Sequence, residues 1–477
     1  MFTNITLKLV DGVSINVPDS LDLITTYVLR EQEDWFEDEI KFLRHLIQPG
    51  QRVIDIGANY GVYTLALAKL VGSSGRVWAF EPASSTANLL ATSIASNNYS
   101  HVVLVRSALS STAGTAQLSL NENSELNELV RAEQFVGTSE TVSLATLDAS
   151  MDCYSWKDID FIKIDAEGEE ANILCGGANF LAIESPLIQY EIKAGHDLHL
   201  DLVRQFSRLG YQSYRLVPGL NLLIPFDAEG SVDGYLLNLF CCKPDRAAHL
   251  ATQGYLIEAT TNIASSHKLD VSHISNKPGA NETHGWHEAL VKFPYGKMLL
   301  DHWVEVEVGN QRHDVDEPLF LYALSRDTSL PIVERFASLE ASYLKFKRLC
   351  ETQPDYLRLS SLARVARDYG ARSVAVNALG QLCDMIFQQR QVNLDEPFLA
   401  PGERFDSVSP NNRDSIGNWV AAAALEEFER HQAFSSYYSG MSSMQRLEAI
   451  RDLGYAGEEM KRRLILIKQR FAAEMGA

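Results

Sequence analysis

The sequence predicts an α/β domain built on a mostly parallel β-sheet with an antiparallel edge, followed by a mainly α-helical region. In the first half of the chain, short β-branched apolar runs alternate with helical segments, which is the pattern of a sheet covered by helices. From about Pro331 onward, apolar residues instead recur at spacings of three and four, as they do in amphipathic helices. The 477 residues are enough for two or three domains.

The first 50 residues predict a hairpin and a helix that lead into the sheet domain. The hairpin turns at Asp11-Gly12, a pair typical of two-residue turns. The charged stretch from Thr26 to Ile47 predicts one amphipathic helix, which Pro49-Gly50 ends. This helix either covers a ligand site or presents an acidic face to solvent with Trp35 buried.

Residues 51–245 form the predicted sheet domain. Several of its strands are apolar throughout, as expected when both faces of a sheet are covered. The predicted parallel strands are 52–57, 76–81, 101–105, 160–165 and 187–192, and the antiparallel edge is 211–217 and 235–243. Extended segments at 113–120 and 140–147 flank a polar stretch, Asn121–Gly137. Residues 246–330 are predicted to be a mixed connecting region, and residues 331–477 the helical region.

Composition and charge limit the classes of partner. There are 62 acidic residues against 42 Lys and Arg, for a net charge of −20, which disfavours nucleic acid and anionic membrane surfaces. The six cysteines form no CxxC pair, which favours free thiols in a reducing compartment. The N-terminus does not resemble a signal peptide, and no apolar stretch is long enough to span a membrane. We therefore expect a cytoplasmic protein.

The segment VIDIGANYG, residues 53–61, carries the first chemical signal. It is a strand followed by a turn that Gly57 and Gly61 bracket, and then by a helix with free N–H groups at its start. The spacing is not the G-x-G-x-x-G of dinucleotide sites, which argues against a nicotinamide oxidoreductase. Asp55 would repel a pyrophosphate, whereas it suits a ligand with an ammonium group and hydroxyls.

A second acid, Glu81, ends the next strand twenty residues after Gly61. An acid at this place can accept hydrogen bonds from both hydroxyls of a ribose. A ligand that combines a ribose with an amino-acid ammonium group points to S-adenosylmethionine. The alternative is an ordinary strand–turn–helix unit in which the acids only cap helices.

A third segment, FIKIDAEGEE at residues 161–170, brings acids to the end of another buried strand. Asp165 lies at the carboxyl edge of the sheet, where open α/β folds bind ligands. Glu167, Glu169 and Glu170 open the following helix, where acids are favoured by the helix dipole. For Glu169 and Glu170 capping is the favoured interpretation, and for Asp165 and Glu167 it is function.

Together these segments resemble the FkbM family of S-adenosylmethionine-dependent methyltransferases over residues 20–245. The elements that carry the resemblance are DxGANxG at Asp55–Gly61, FEP at 80–82, KIDxEGxE at 163–170 and LIQYEI at 187–192. The resemblance implies the class I methyltransferase fold, a seven-stranded sheet of order 3-2-1-4-5-7-6. It also implies methylation of a hydroxyl on a small molecule or saccharide.

Residue by residue, the resemblance implies a cofactor pocket and an acceptor side. The methionine side would be Asp55, Gly57, Asn59 and Gly61, the ribose acid Glu81, and the adenine segment Ser107-Ala108. The acceptor side would have Asp165 and Glu191. Many members have a His directly after the latter acid, whereas this chain has Ile192-Lys193, with His196 further on.

Methyl transfer to an alcohol needs alignment of the reacting atoms and benefits from a general base. Asp165 is the first candidate base, with Glu191 and His196 behind it. If Asp165, Glu167 and Glu191 converge, a divalent ion is an alternative, because clustered carboxylates suit Mg²⁺. The flap candidate Asn121–Gly137 either lies on the acceptor side or is a surface loop.

The sequence thus predicts a cytoplasmic O-methyltransferase that uses S-adenosylmethionine and acts on a saccharide, a glycan precursor or another small molecule. The helical region would then bind a protein partner, form a homo-oligomer or shape the acceptor channel. The alternative is a scaffold that binds the cofactor without transferring a methyl group and recruits proteins through its helices.

Overall fold

The computed structural model describes residues 3–130, 137–194, 197–258, 285–309, 314–354, 357–389 and 392–472. The chain divides into two compact units. The first is built from residues up to Glu258, except for the short segments 217–222 and 233–235, which belong to the second. The second unit otherwise consists of the residues from 259 onward.

The N-terminal segment contains a hairpin and two helices. Strands β1 (Asn4–Lys8) and β2 (Ser14–Pro18) pair in antiparallel fashion, as predicted. The single predicted helix is wrong, because the structure has α1 (Ile24–Gln32) and α2 (Asp38–Leu46). The first helix ends where Glu33 takes a left-handed conformation with φ 59°. After it, the Asp34 carboxylate accepts a hydrogen bond from the Trp35 N–H and from Arg44, which stabilises the break between the helices.

The main sheet of the first unit has eight strands in the order β14-β13-β15-β10-β9-β3-β4-β5. Strands β10, β9, β3, β4 and β5 are parallel, and β15 is antiparallel to both its neighbours. Without β14, this is the order 3-2-1-4-5-7-6 of the class I methyltransferase fold, so the predicted fold class is confirmed. The strands are β3 Arg52–Ile56, β4 Arg76–Phe80, β5 Val102–Val105, β9 Phe161–Ile164, β10 Leu187–Glu191, β13 Gln212–Val217, β14 Leu222–Pro225 and β15 Asn238–Cys242.

Shorter strands and the covering helices complete the first unit. Strands β6 (Ala108–Leu109), β7 (Gly114–Ser119) and β8 (Ser139–Ala145) form a small sheet, and β11 (Lys193–Ala194) pairs with β12 (Asp197–Leu198). The helices are α3 Val62–Val71, α4 Ser84–Ser96, α5 Leu147–Tyr154, α6 Glu170–Gly176, α7 Ala178–Ile183, α8 Asp201–Arg208 and α9 Pro244–Thr252.

The central strands are buried on both faces. Val53 and Phe161 belong to the core on one face of the sheet, and Ile54 and Ile162 to the core on the other. This explains why these strands are apolar throughout instead of alternating. Their carboxyl ends therefore form a rigid edge on which polar side chains are held in place.

From residue 285 onward, the described residues of the second unit fold mainly into helices. A set of buried aromatic rings, Trp286, Tyr295, Trp303, Phe398 and Trp419, packs at its centre. The helices are α10 Gly285–Leu290, α11 Pro294–Gly309, α12 Asp316–Arg326, α13 Ile332–Thr352, α14 Arg358–Tyr369, α15 Arg372–Gln389, α16 Ile416–Gln432, α17 Ser436–Ser439, α18 Met444–Asp452 and α19 Glu458–Arg470. Among the described helices of either unit, none combines the length and the apolar character that crossing a membrane requires.

Candidate active site

The glycine turn after β3 brings two strand ends into contact. Gly57 and Gly61 have φ values of 77° and 98°, a region that favours glycine. A Cβ atom on Gly57 would lie 1.7 Å from the backbone oxygen of Asp165, which follows β9. The turn and the end of β9 are thus packed backbone against backbone, and the two halves of the predicted site share one edge.

Asp55 supports this turn from inside the fold. Its side chain is fully buried and accepts a hydrogen bond from the Thr64 hydroxyl on α3. Burial raises the pKa of the Asp55 carboxyl above its usual value, and the nearby Lys163 acts in the opposite direction. Because no part of Asp55 is exposed, its predicted contact with a ligand ammonium group stays a prediction.

Glu81, at the end of β4, connects that strand to the glycine turn. One carboxylate oxygen accepts from the Asn59 N–H at 2.9 Å, and the other accepts from the Ala83 N–H at 2.8 Å. Burial raises the pKa of Glu81 to about 7. A carboxylate has about four lone-pair positions, so two remain for the hydroxyls of a ribose. This leaves room for the predicted ribose contact of Glu81, which stays a prediction.

The predicted adenine segment follows β5, the strand next to β4. Ser107 is buried, and Ala108 opens β6, which pairs with β8 through Leu144. Both residues therefore follow the strand next to the one that Glu81 ends.

The flap candidate, Asn121–Gly137, contacts the glycine turn after β3. The Ser124 hydroxyl donates to the Asn59 side-chain oxygen at 2.8 Å. The Asn123 side chain accepts from the Ile24 N–H at 2.8 Å, and Glu125 accepts from Thr25. The flap thus satisfies free N–H groups at the start of α1, which has no side-chain cap of its own. Sequence patterns gave no sign of this connection, and residues 131–136 of the flap lie outside the described residues.

Three carboxylates converge beyond the end of β9. One oxygen from each of Asp165, Glu167 and Glu191 lies within 4.8 Å of the others. Loss of hydration to surrounding protein atoms, and then the nearby charge of Asp165, raises the pKa of Glu167, although its side chain is exposed, and raises the pKa of the half-buried Glu191 to about 10. Such a group of oxygens suits a hard divalent cation, so the structure brings together the three residues of the metal alternative.

Glu169 and Glu170 stabilise the loop that carries this group. Glu169 accepts from the Ser110 hydroxyl at 2.9 Å, and Glu170 accepts from the Ala166 N–H at 3.0 Å. The Glu170 contact with backbone N–H agrees with the capping interpretation, whereas the Glu169 side chain caps no N–H group of α6 and binds Ser110 instead. His196, the third candidate base, lies outside the described residues, so its role stays a prediction.

Lys163 is a buried cation that sequence reasoning passed over. Its ammonium group lies 2.6 Å from an Asp165 oxygen and 4.7 Å from the centre of the Tyr63 ring. Tyr63 in turn donates to Glu37, which precedes α2. Burial lowers the pKa of Lys163, but the carboxylates of Asp165, Asp55 and Glu37 outweigh this effect and raise it above the usual value. The N-terminal segment therefore contributes an acid to the surroundings of the site.

Residues 55–213 match the family model of the methyltransferase FkbM domain. The first unit contains an FkbM methyltransferase domain. This confirms the family that the sequence motifs indicated, and it assigns the domain to the S-adenosylmethionine-dependent methyltransferases. The match covers less than half of the chain and none of the helical unit.

The chain is also similar to solved structures at low sequence identity. The FkbM methyltransferase of Methylobacillus flagellatus is 16% identical, with 43% of this chain and 50% of that chain covered at a TM-score of 0.28. A Streptococcus mutans protein in complex with SAH is 12% identical, with 43% and 95% covered at 0.27. An rRNA methylase from Streptococcus thermophilus is 12% identical, with 43% and 93% covered at 0.25. A comparison with curated proteins gives no match.

Proposed function

We propose that the FkbM domain transfers a methyl group from S-adenosylmethionine to a hydroxyl of a saccharide, a glycan precursor or another small molecule. The observation that carries the proposal is the shared edge of β3 and β9. There, the turn that Glu81 supports packs against the backbone of Asp165. A cofactor at the turn would therefore have its methyl end close to an acid that can serve an acceptor.

The cofactor side of the proposal uses backbone and carboxylate groups. When bound, S-adenosylmethionine supplies a methyl group that is already activated by its sulfonium. Glu81 would accept hydrogen bonds from the ribose hydroxyls, and Ser107 and Ala108 would line the adenine. The turn from Gly57 to Gly61 would approach the methionine end, with the buried Asp55 holding the turn from behind.

On the acceptor side, Asp165 would receive the proton of the acceptor hydroxyl. An alcohol is a weak nucleophile, so removing its proton during the attack lowers the barrier. Asp165 is half-buried, so one face of the carboxylate can meet an acceptor. Glu191, at the end of the adjacent strand β10, is the next candidate.

A divalent cation is the alternative means of activating the acceptor. The convergence of Asp165, Glu167 and Glu191 supports it, because three oxygens within 4.8 Å can bind one ion. These carboxylates would hold the ion, which would supply positive charge to orient neighbouring hydroxyls of the acceptor. This route suits a saccharide, which offers vicinal hydroxyls.

The charge of the chain supports an acceptor without phosphates. The net charge is −20, and the acceptor side adds three converging acids. A nucleic acid would meet like charge there, so we propose that the acceptor is not a nucleic acid. The described cysteines are free thiols, which supports the proposed cytoplasmic location.

Radiolabelled S-adenosylmethionine incubated with the protein and fractionated lysate tests the proposal. We expect label in a fraction of small molecules or glycans, with Glu81→Ala as the inactive control. Transfer that survives in Asp165→Asn would remove this residue from the chemistry. Tight binding of S-adenosylhomocysteine without transfer to any fraction would favour the scaffold alternative instead.

A further inference from the structure

Three polar side chains form a row across the centre of the sheet. Asp55 on β3, Lys163 on β9 and Gln189 on β10 are direct partners in the parallel register. Side chains in one row of a parallel sheet point to the same face. All three are buried, with at most 5% of any of them exposed. A polar row inside an apolar core is costly unless its groups are paired.

The ammonium group of Lys163 points from this row toward the carboxyl edge of the sheet. It lies 2.6 Å from the Asp165 carboxylate, two residues further along the chain. The ring of Tyr63 lies 4.7 Å from the ammonium nitrogen. The Tyr63 hydroxyl is itself fixed, because it donates to Glu37 and accepts from the Gln189 amide at 3.1 Å. The Lys163 ammonium is thus held between the Asp165 carboxylate and a ring that is itself fixed.

The same row contains two side-chain oxygens without a described hydrogen-bond donor. Asp55 Oδ1 and Gln189 Oε1 are buried and find no hydrogen-bond donor among the described residues. A lysine ammonium has three N–H donors, and both residues neighbour it across the strands. Yet the ammonium makes its close contact with Asp165 instead. The Lys163 ammonium therefore binds the Asp165 carboxylate at the strand end and leaves Asp55 Oδ1 and Gln189 Oε1 without a described donor.

We propose that Lys163 is a positioning residue that fixes the Asp165 carboxylate for methyl transfer. This rests on the proposed function, which gives Asp165 its role toward the acceptor. A charge-assisted hydrogen bond from a buried ammonium restricts where the carboxylate can lie. The second oxygen of Asp165 is then left to face an acceptor hydroxyl or a cation. Lys163 itself does not touch the acceptor.

The test compares Lys163→Met, Lys163→Arg and a matched control, Lys243→Met. Lys243 is half-buried, donates to two backbone carbonyls and, like Lys163, lies near an aromatic ring, at 5.4 Å from that of Tyr211. It has no described contact with Asp165, Glu167 or Glu191. Each variant is crystallised, and its affinity for S-adenosylhomocysteine is measured by calorimetry. Its kcat and KM are measured with the lysate fraction that accepts label.

We expect Lys163→Met to lower kcat by about 10- to 100-fold, the usual effect of losing a group that orients a functional carboxylate. The affinity for S-adenosylhomocysteine should change less than about twofold, and the Asp165 carboxylate should move or lose its defined position. Lys163→Arg keeps the charge and should recover part of kcat. Lys243→Met should retain full turnover.

Combining Lys163→Met with Asp165→Asn separates positioning from general destabilisation. If Lys163 acts through Asp165, the double variant should be no slower than Asp165→Asn alone. The proposal would be overturned if the double variant were slower than Asp165→Asn by the full factor that Lys163→Met causes alone. It would also be overturned if the Asp165 carboxylate stayed in place in Lys163→Met, or if kcat were unchanged in both Lys163 variants. If the wild-type protein transfers no methyl group, the proposed function fails, and the crystallographic position of Asp165 still decides the role of Lys163.

Discussion

Replacing Gly57 by alanine tests the close approach of the two strand ends. The added Cβ would lie 1.7 Å from the Asp165 oxygen and 2.9 Å from its carbonyl carbon, whereas real Cβ atoms essentially never come closer than 3.0 Å. The φ of 77° adds a backbone cost of about 1–2 kcal/mol for a residue with a side chain. Forcing packed backbone apart adds about 1–3 kcal/mol. We expect a total loss of about 2–5 kcal/mol in the free energy of unfolding.

Gly210→Ala is the matched control, because Gly210 has φ 83° with open space around its missing side chain. This variant should show only the backbone cost of about 1–2 kcal/mol. Urea denaturation of both variants gives the free energies, and calorimetry gives their affinities for S-adenosylhomocysteine. Only Gly57→Ala should also weaken cofactor binding. Equal losses of stability in the two variants, with equal affinities, would refute the packing described for the turn.

Three further predictions concern Glu81, the three converging carboxylates after β9 and the flap. The pKa of Glu81 is about 7 in the folded protein against a usual 4.5, so between these two pH values the folded state holds a proton that the unfolded state has lost. The free energy of unfolding of the wild type should therefore fall by about 3 kcal/mol as the pH rises from 4.5 through 7. The stability of Glu81→Gln relative to wild type should therefore increase between pH 5 and pH 8 in urea titrations, and a constant difference would contradict the buried carboxyl. Mn²⁺ binding, measured by electron paramagnetic resonance, should weaken at least about tenfold in Glu167→Gln and in Glu191→Gln. The control Glu169→Gln should bind Mn²⁺ like the wild type. Equal binding in all three variants would exclude a cation site at Asp165, Glu167 and Glu191. Asn123→Ala removes the acceptor of the Ile24 N–H and should cost about 1 kcal/mol in thermal or urea unfolding. No change would show that Asn123 does not stabilise the start of α1.

Much of the first unit could be predicted because its signals are local. Each parallel strand is a continuous apolar run, and the structure has strands at all five predicted places. The order of the strands is not local, and it came from the motif resemblance. The break at Glu33 was missed, because the charged residues on both sides of it keep a helical pattern through the turn.

The candidate site was predicted to a similar extent. The convergence of Asp165, Glu167 and Glu191 was only an alternative from the sequence. Asp165 and Glu191 end adjacent parallel strands, which share one edge, but the place of Glu167 depends on the loop after β9. What the pattern did not give was the direction of each side chain. Asp55 turns inward to α3, and Lys163 lies in an apolar strand where its pairing with Asp165 depends on a tertiary contact.

A crystal structure with S-adenosylhomocysteine tests the central claim most directly. The account predicts the nucleoside at the carboxyl ends of β3 and β4, with its ribose hydroxyls donating to Glu81 and its sulfur on the side of Asp165. An empty edge in crystals soaked at saturating ligand, or a nucleoside bound away from Glu81, would contradict it.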